Sequence, residues 1–310
     1  MNNLIYNELL KIVKQKFFIA PCIILLVPVI ILGRWEYVDL QKEKHAGTDW
    51  KQELIEQNEK IQQELTKGNL SAKRLQDELK LNEYRLEHNI PPHTHHSVLG
   101  FMNKCAELVP IVSLILITYA SSMVSKEYQW GTMNLLMARP ATRTEILLSK
   151  FAAVVALYII LCGILALFSL MEGLILYGFR IDSYPTLKIV DGKVVEQSVV
   201  LDILKSYFYQ FLPVLFFVTV AFAISTILRS NGPAIIMAVV ASFVSDPIAQ
   251  LLSKYDWSKY LVFANTDLRM YEEGAPLIEG MTLGFSVTIL LIYISLLLFL
   301  SLFVFKRRDI

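Results

Sequence analysis

Six apolar runs, each about 20 residues or longer, leave this chain few folds to adopt. A helix rising about 1.5 Å per residue needs about that length to cross a bilayer core about 30 Å thick. Inside lipid every backbone N–H and C=O must be satisfied within the protein, so runs of this length are helices. The expected fold is therefore an all-α integral membrane protein with six transmembrane helices. Composition agrees: of 310 residues 55% are hydrophobic and 18% charged, and mean hydropathy is +0.48. Soluble domains carry about one quarter charged residues.

The spans are read at 17–38, 101–125, 146–179, 207–228, 233–252 and 281–305. Pro21 and Pro28 bend the first, and the third is long enough to tilt or to break near Glu172-Gly173. Residues 1–16 place Leu4, Ile5, Leu9, Ile12 and Val13 on one helical face, with Lys11, Lys14 and Lys16 off it. That pattern suits an amphipathic helix lying in the headgroup layer rather than a cleaved signal peptide. With both termini on the cytoplasmic side, the inner segments 1–16, 126–150, 229–232 and 306–310 hold eleven Lys/Arg and four acids, +7 against −6 for the remainder. This is the positive-inside bias. The outer segments are then 39–100, 180–206 and the aromatic-rich 253–280.

Segment 39–100 is polar and periodic. Trp50, Leu54, Ile61 and Leu65 recur at helical spacing, as do Leu75, Leu79 and Leu86, and Lys67-Gly68-Asn69 separates the two sets. The pattern predicts an extracellular helical hairpin with coiled-coil-like arms of about 18 residues, about 27 Å each; a loosely structured charged loop is the alternative. Ile90-Pro91-Pro92 closes the second arm. His88, His93, His95 and His96, with Glu87, are candidate ligands for a metal such as zinc, but their spacing is not a standard one and an exposed linker is the preferred reading. In 180–206, Asp191-Gly192-Lys193 marks a tight turn between two short strand-like stretches. The three cysteines, Cys22, Cys105 and Cys162, sit in or beside apolar segments, which argues against a disulfide framework.

Between the second and third spans lies a short basic island, residues 126–150. Gly131 permits a sharp turn, Met133, Leu135, Leu136 and Met137 offer an apolar face on a short helix, and Pro140 ends it. Thr142-Arg143-Thr144-Glu145 reads as a capping box opening the next helix. A stiff apolar finger is thereby expected between two membrane-crossing helices, and pushing it should tilt both.

The pattern Glu127-x-x-x-Gly131-Thr132, an apolar stretch, then Arg139-Pro140-x-x-Arg143 and Lys150, resembles the coupling region of ABC-2 type permeases, the membrane subunits of one class of ABC exporters. The six-span layout, the amphipathic start and the basic ending Lys306-Arg307-Arg308 are similar too, whereas the long first outer segment departs from that family's pattern. The resemblance implies an ATPase-coupling site at Glu127, Gly131, Thr132, Met133, Leu135, Leu136, Pro140 and Arg143. It also implies two copies of a separate ATPase subunit binding ATP and Mg, a second permease chain, identical or related, and a bacterial cell membrane as location. This chain has no Gly-x-x-x-x-Gly-Lys-Ser/Thr and is expected to bind no cofactor itself.

Three acids at the edges of spans, Glu107, Glu172 and Asp246, are candidates for a cargo path, or else interface residues, because a carboxylate near the bilayer is costly. No catalytic set is recognised, and neither an enzyme nor a nucleic-acid partner is expected; membrane lipids are. The leading expectation is an exporter subunit moving an amphipathic, lipid-like or peptide compound outward, with antibiotic resistance or export as its setting. The rival is a membrane sensor or structural protein whose outer hairpin binds a ligand or partner. An ion-coupled transporter is disfavoured because no charged relay crosses the midplane of any span.

Overall fold

A computed structural model describes residues 1–14, 18–46, 50–66, 72–90, 97–132, 141–179, 185–190, 192–272 and 276–307. Its helices are α1 (Asn2–Val13), α2 (Ile19–Ala46), α3 (Trp50–Thr66), α4 (Ala72–His88), α5 (Val98–Cys105), α6 (Val109–Gln129), α7 (Arg143–Tyr177), α8 (Val199–Leu228), α9 (Asn231–Leu252) and α10 (Leu283–Arg307). A two-stranded antiparallel hairpin, β1 (Thr186–Val190) and β2 (Lys193–Gln197), is the one departure from all-helical structure among the described residues. Six segments are long and apolar enough to cross a bilayer: Ile19–Gln41, Val98–Gln129, Arg143–Tyr177, Val199–Leu228, Asn231–Leu252 and Leu283–Arg307. The chain is a multi-pass membrane protein.

Successive spans alternate direction, which gives the molecule two poles. One, here the handle end, carries α1, the end of α6 and the start of α7; the other, the head end, carries α3, α4 and the β-hairpin. Local chemistry sets several element ends. Pro110 stands in the first turn of α6, where its missing N–H has no intrahelical partner to lose. Arg229 takes a left-handed conformation (φ 55°), stops α8 and lets α9 begin within three residues. The third span is one unbroken helix through Glu172-Gly173. α8 starts at Val199, eight residues ahead of the expected span at 207, and its first turn buries Val199, Asp202 and Ile203 at the head end.

α8 is the central post and packs against α6, α9 and α10, while α7 packs against α1, α2 and α5. Val112, Leu116, Ala120 and Val124, spaced by four, present one buried face of α6. Where α6 meets α8, Ser225 Oγ donates to the Ser121 carbonyl across the interface. Small hydroxyl residues let membrane helices approach closely and supply an interhelical hydrogen bond. The α6–α8 core joins α7 through an edge-on contact between Phe151 and Phe222.

At the head end α3 and α4 pack side by side, with Leu54 and Ile61 buried. The centre of their contact is polar: Asn82 Nδ2 donates to Asn58 Oδ1 at 2.9 Å, and Asn82 is buried. Lys67-Gly68-Asn69, expected to separate the arms, lies outside the described residues, as does Asp191 of the β-turn. Gly192 adopts φ +76°, as a tight hairpin turn demands. The Tyr84 hydroxyl on α4 donates to Glu196 on β2 at 3.2 Å, joining the two parts of the head.

Glu172 is accommodated by a glycine. A Cβ on Gly33 of α2 would stand 2.5 Å from Glu172 Oε1 and 2.8 Å from its Cγ. Gly33→Val is expected to lower the thermal midpoint of the detergent-solubilised protein, an overpacking cost of about 1–3 kcal/mol. Glu172→Ala in the same chain should recover most of it, and equal midpoints for Gly33→Val and wild type would refute the close approach.

Candidate coupling site

At the handle end a buried charge cluster joins three helices. Lys150 on α7 is only 1% exposed, yet it is charged chemistry within an apolar bundle. Its Nζ donates to Glu127 Oε1 on α6 at 2.6 Å and to Glu8 Oε2 on α1 at 2.9 Å. Lys11 on α1 adds a second cation, 2.5 Å from Glu8 Oε1 and 3.4 Å from Glu127 Oε1. Two cations and two anions cancel, which is the condition for keeping charge out of water.

The local sequence explains how each group arrives. Glu8 and Ile12, four apart, form the buried stripe of α1, while Val13, expected on that face, is exposed. Glu127 and Lys126 end α6; Lys126 is partly exposed and Glu127 turns inward. Burial alone would raise the Glu8 pKa, but the adjacent Lys150 and Lys11 outweigh it and hold the carboxyl below its ordinary value. Burial likewise pulls Lys11 down, and Glu8 and Glu127 overcome it, leaving the ammonium above its ordinary value.

The same glutamate roots the handle through its main chain. The Glu127 carbonyl accepts from the Thr132 N–H at 3.1 Å and from its hydroxyl at 3.4 Å. Gly131, at φ +66°, makes the reversal that brings Thr132 back, a conformation in which L side chains are strained. Met133, Leu135, Leu136 and Pro140 lie outside the described residues. On the far side the chain re-enters through the expected capping box: Thr142 N and Oγ1 donate to Glu145 Oε2 at 2.9 and 2.8 Å, and Glu145 N donates to Thr142 Oγ1 at 3.2 Å. Arg143 Nη1 donates to the Lys306 carbonyl at 3.1 Å, tying the start of α7 to the end of α10. The Arg229 guanidinium lies 4.4 Å over the Tyr128 ring, tying the end of α6 to the end of α8.

The remaining candidates separate. Glu107 and Asp246 line one cavity of about 510 Å³ near the head end, together with Arg269. Glu172 does not join them; it sits against α2 at Gly33, in the region where Glu36 accepts from Lys104 and, at 3.2 Å, from the Tyr177 hydroxyl. His88 stacks on Tyr84 at 3.9 Å with Nδ1 3.1 Å from the Tyr84 carbonyl, while His93, His95 and His96 lie outside the described residues. Among the described residues no group of three or more His, Cys, Asp or Glu is placed to hold a metal ion. Sequence reading missed Glu8 as a site residue, although an acid four residues from a buried isoleucine in a basic helix is a signal for it. It also missed a head network in which Lys188 of β1 pairs with Asp202 and, at 3.0 Å, with Glu272, which Lys205 approaches at 2.9 Å. There burial would raise Glu272, but the two lysines hold it below its ordinary value.

A family model described as "Protein of unknown function (DUF2705)" matches residues 78–310. Over 318 residues the chain is 34% identical to the Bacillus subtilis (strain 168) protein named "Uncharacterized protein YhcI", covering 100% of this chain and 99% of that one. It is also 24% identical over 220 residues to "Uncharacterized membrane protein YdbK" of the same organism, 70% of this chain and 85% of that one.

The cluster makes a pH-dependent contribution with a definite sign. Glu8, depressed in the folded state, contributes stability that is present above its ordinary value of 4.5 and lost as pH falls through the folded value. Lys11, raised, contributes stability that is present below 10.5 and lost only as pH climbs through its folded value. Thermal midpoints measured from pH 7 down to 3 should therefore fall for wild type and fall less for Glu8→Gln. Lys150→Met leaves two buried carboxylates facing each other, and at pH 7 it should cost about 3–5 kcal/mol; a neutral outcome would mean the cluster is hydrated.

Proposed function

We propose that this chain, which belongs to the family described as "Protein of unknown function (DUF2705)", is the permease subunit of an ATP-driven ABC exporter. In this reading residues 126–145 face the cytoplasm of a bacterial cell, both termini lie on that side, and residues 133–140 seat in a separate ATPase subunit. Two ATPase copies bind ATP and Mg, a second permease chain completes the complex, and an amphipathic, lipid-like or peptide compound moves outward. The chain contributes no nucleotide chemistry; it converts closure of the ATPase pair into tilting of α6 and α7.

The observation that carries the proposal is the root of the handle. Glu127 and Lys150, 23 residues apart, clamp together at 2.6 Å where the handle leaves and re-enters the bundle. A force applied to residues between them is delivered to both helices at once, and through Glu8 to α1. A passive connector has no need of a buried, charge-neutral clamp at its base, because such a cluster is seldom better for stability than apolar packing. The positive charge of the handle-side segments supports the cytoplasmic orientation. The sensor reading draws on the tie between α4 and β2 at the head.

Affinity purification of the tagged full-length chain from its own host is expected to bring down an ATPase carrying a phosphate-binding loop. Leu136→Asp should abolish that recovery while leaving membrane insertion intact. Recovery of the chain with no ATPase, or labelling of a cysteine at Asn134 from the cell exterior, would overturn the proposal. Deleting residues 50–87 separates the two readings: an exporter keeps its ATPase, whereas a sensor loses its response.

A further inference from the structure

Two chambers at the head end share a neck. The upper, of about 630 Å³, lies beneath α4 and β1 and is lined by charged groups including Asp77, Lys188 and Asp202. The lower, of about 510 Å³, lies between α6, α8 and α9 and is walled by Leu114, Phe217 and Phe243. Glu107 and Arg269 line both. Several charged groups there have a partner within the fold. Lys104 is held by Glu36, and Lys188 by Asp202 and Glu272. Among the described residues neither Glu107 nor the Arg269 guanidinium makes an ion pair, and Arg269 Nε and Nη2 are buried without an acceptor. Asp267 accepts instead from the Arg269 main-chain N–H, at 3.1 Å.

Those two nitrogens form one edge of the guanidinium, the fork that takes a phosphate or carboxylate side-on. Both are buried, so an incoming oxygen reaches them only when a neighbouring side chain moves. A simple anion is opposed by three carboxylates in the same chamber, Glu107, Asp246 and Asp267, and a simple cation by Arg269. A head group carrying both signs satisfies both. Below the neck the chamber wall includes Leu114, Val214, Phe217 and Phe243, and Phe243 is 67% exposed on the flank of α9, so the chamber reaches the surface that meets lipid. A ligand that fits is amphipathic and arrives from the bilayer.

We propose that this neck binds the head group of an aminophospholipid from the head-side leaflet. Its phosphate lies on Arg269, its ammonium on Glu107 with Asp246 and Asp267 nearby, and an acyl chain runs along Phe217 and Phe243. Such a lipid would brace α4, α8 and residues 266–272 around one charged centre. The site needs only the geometry of the head end and stands apart from the proposed coupling to an ATPase.

The full-length protein in nanodiscs supplies the test, with native mass spectrometry reading the lipid retained. The probes are phosphatidylethanolamine, phosphatidylglycerol, which keeps the phosphate and lacks the ammonium, and hexadecylammonium, which lacks the phosphate. Wild type should retain phosphatidylethanolamine about tenfold over either, as expected when one charge-assisted pair is lost. Arg269→Gln and Glu107→Gln should each erase that preference. Equal retention of phosphatidylglycerol overturns the ammonium contact, and with it the proposal; equal retention of hexadecylammonium marks a plain cation site and does the same. A short cationic peptide that binds tighter than any of these lipids assigns the neck to peptide instead. The wild-type comparison decides even if a variant fails to fold.

Discussion

The Lys150 ammonium, held between the carboxylates of Glu127 and Glu8, is the contact on which the handle end depends. An ammonium at 1% exposure in an apolar bundle survives only with its charge cancelled nearby. Two carboxylates and a second lysine achieve that, and because the four groups come from α1, α6 and α7, cancellation also fixes the relative positions of those helices. The apolar faces of α6 and α7 could slide against other membrane helices with little change in contact energy. A neutralised buried cluster cannot slide, since moving one helix strands a charge.

The head end uses the same principle with a different purpose. Lys188 on β1, Asp202 on the first turn of α8 and Glu272 beyond α9 form a partly buried network, and Lys205 completes it. It anchors the β-hairpin onto the helices beneath. The buried Asn58–Asn82 bond sets the alignment of α3 on α4 in a contact that leucines alone would define less sharply. Between these polar poles the middle of the bundle is held by apolar side chains and small hydroxyl residues, as at Ser121 and Ser225. The structure is thus fixed electrostatically at its two ends and packed by shape in between. That arrangement is compatible with a mechanical role, in which a displacement at one pole reaches the other along continuous helices such as α7, 35 residues long.

Much of this was legible in the chain, because the signals are local. Thr142-x-x-Glu145 specifies a capping box from four consecutive residues, and the bonds form as the pattern requires. The periodic stripes at 50–65 and 75–86 specify two helices whose contact includes Leu54 and Ile61. Of the expected turn, Gly192 takes the positive φ that a tight reversal needs, between β1 and β2. Other features were hidden. Asn82 occupies the centre of the α3–α4 contact although no hydrophobic count includes it. Glu8 reads as one acid in a basic helix until α7 presents Lys150. Glu107, Glu172 and Asp246 look equivalent as acids at span edges, yet Gly33 claims Glu172 and a shared cavity claims the other two.

The sequence alone determined that six segments are long and apolar enough to cross a bilayer and that a capping box opens α7 at Thr142, since these follow from hydropathy and caps read along the chain. Only the tertiary structure decided which charges meet. Partner choice for a buried ion depends on distances between helices far apart in sequence: Glu8 and Lys150 are 142 residues apart and 2.9 Å apart in space. No periodicity records such a separation, because electrostatic cancellation is a condition on positions in space, not on order along the chain.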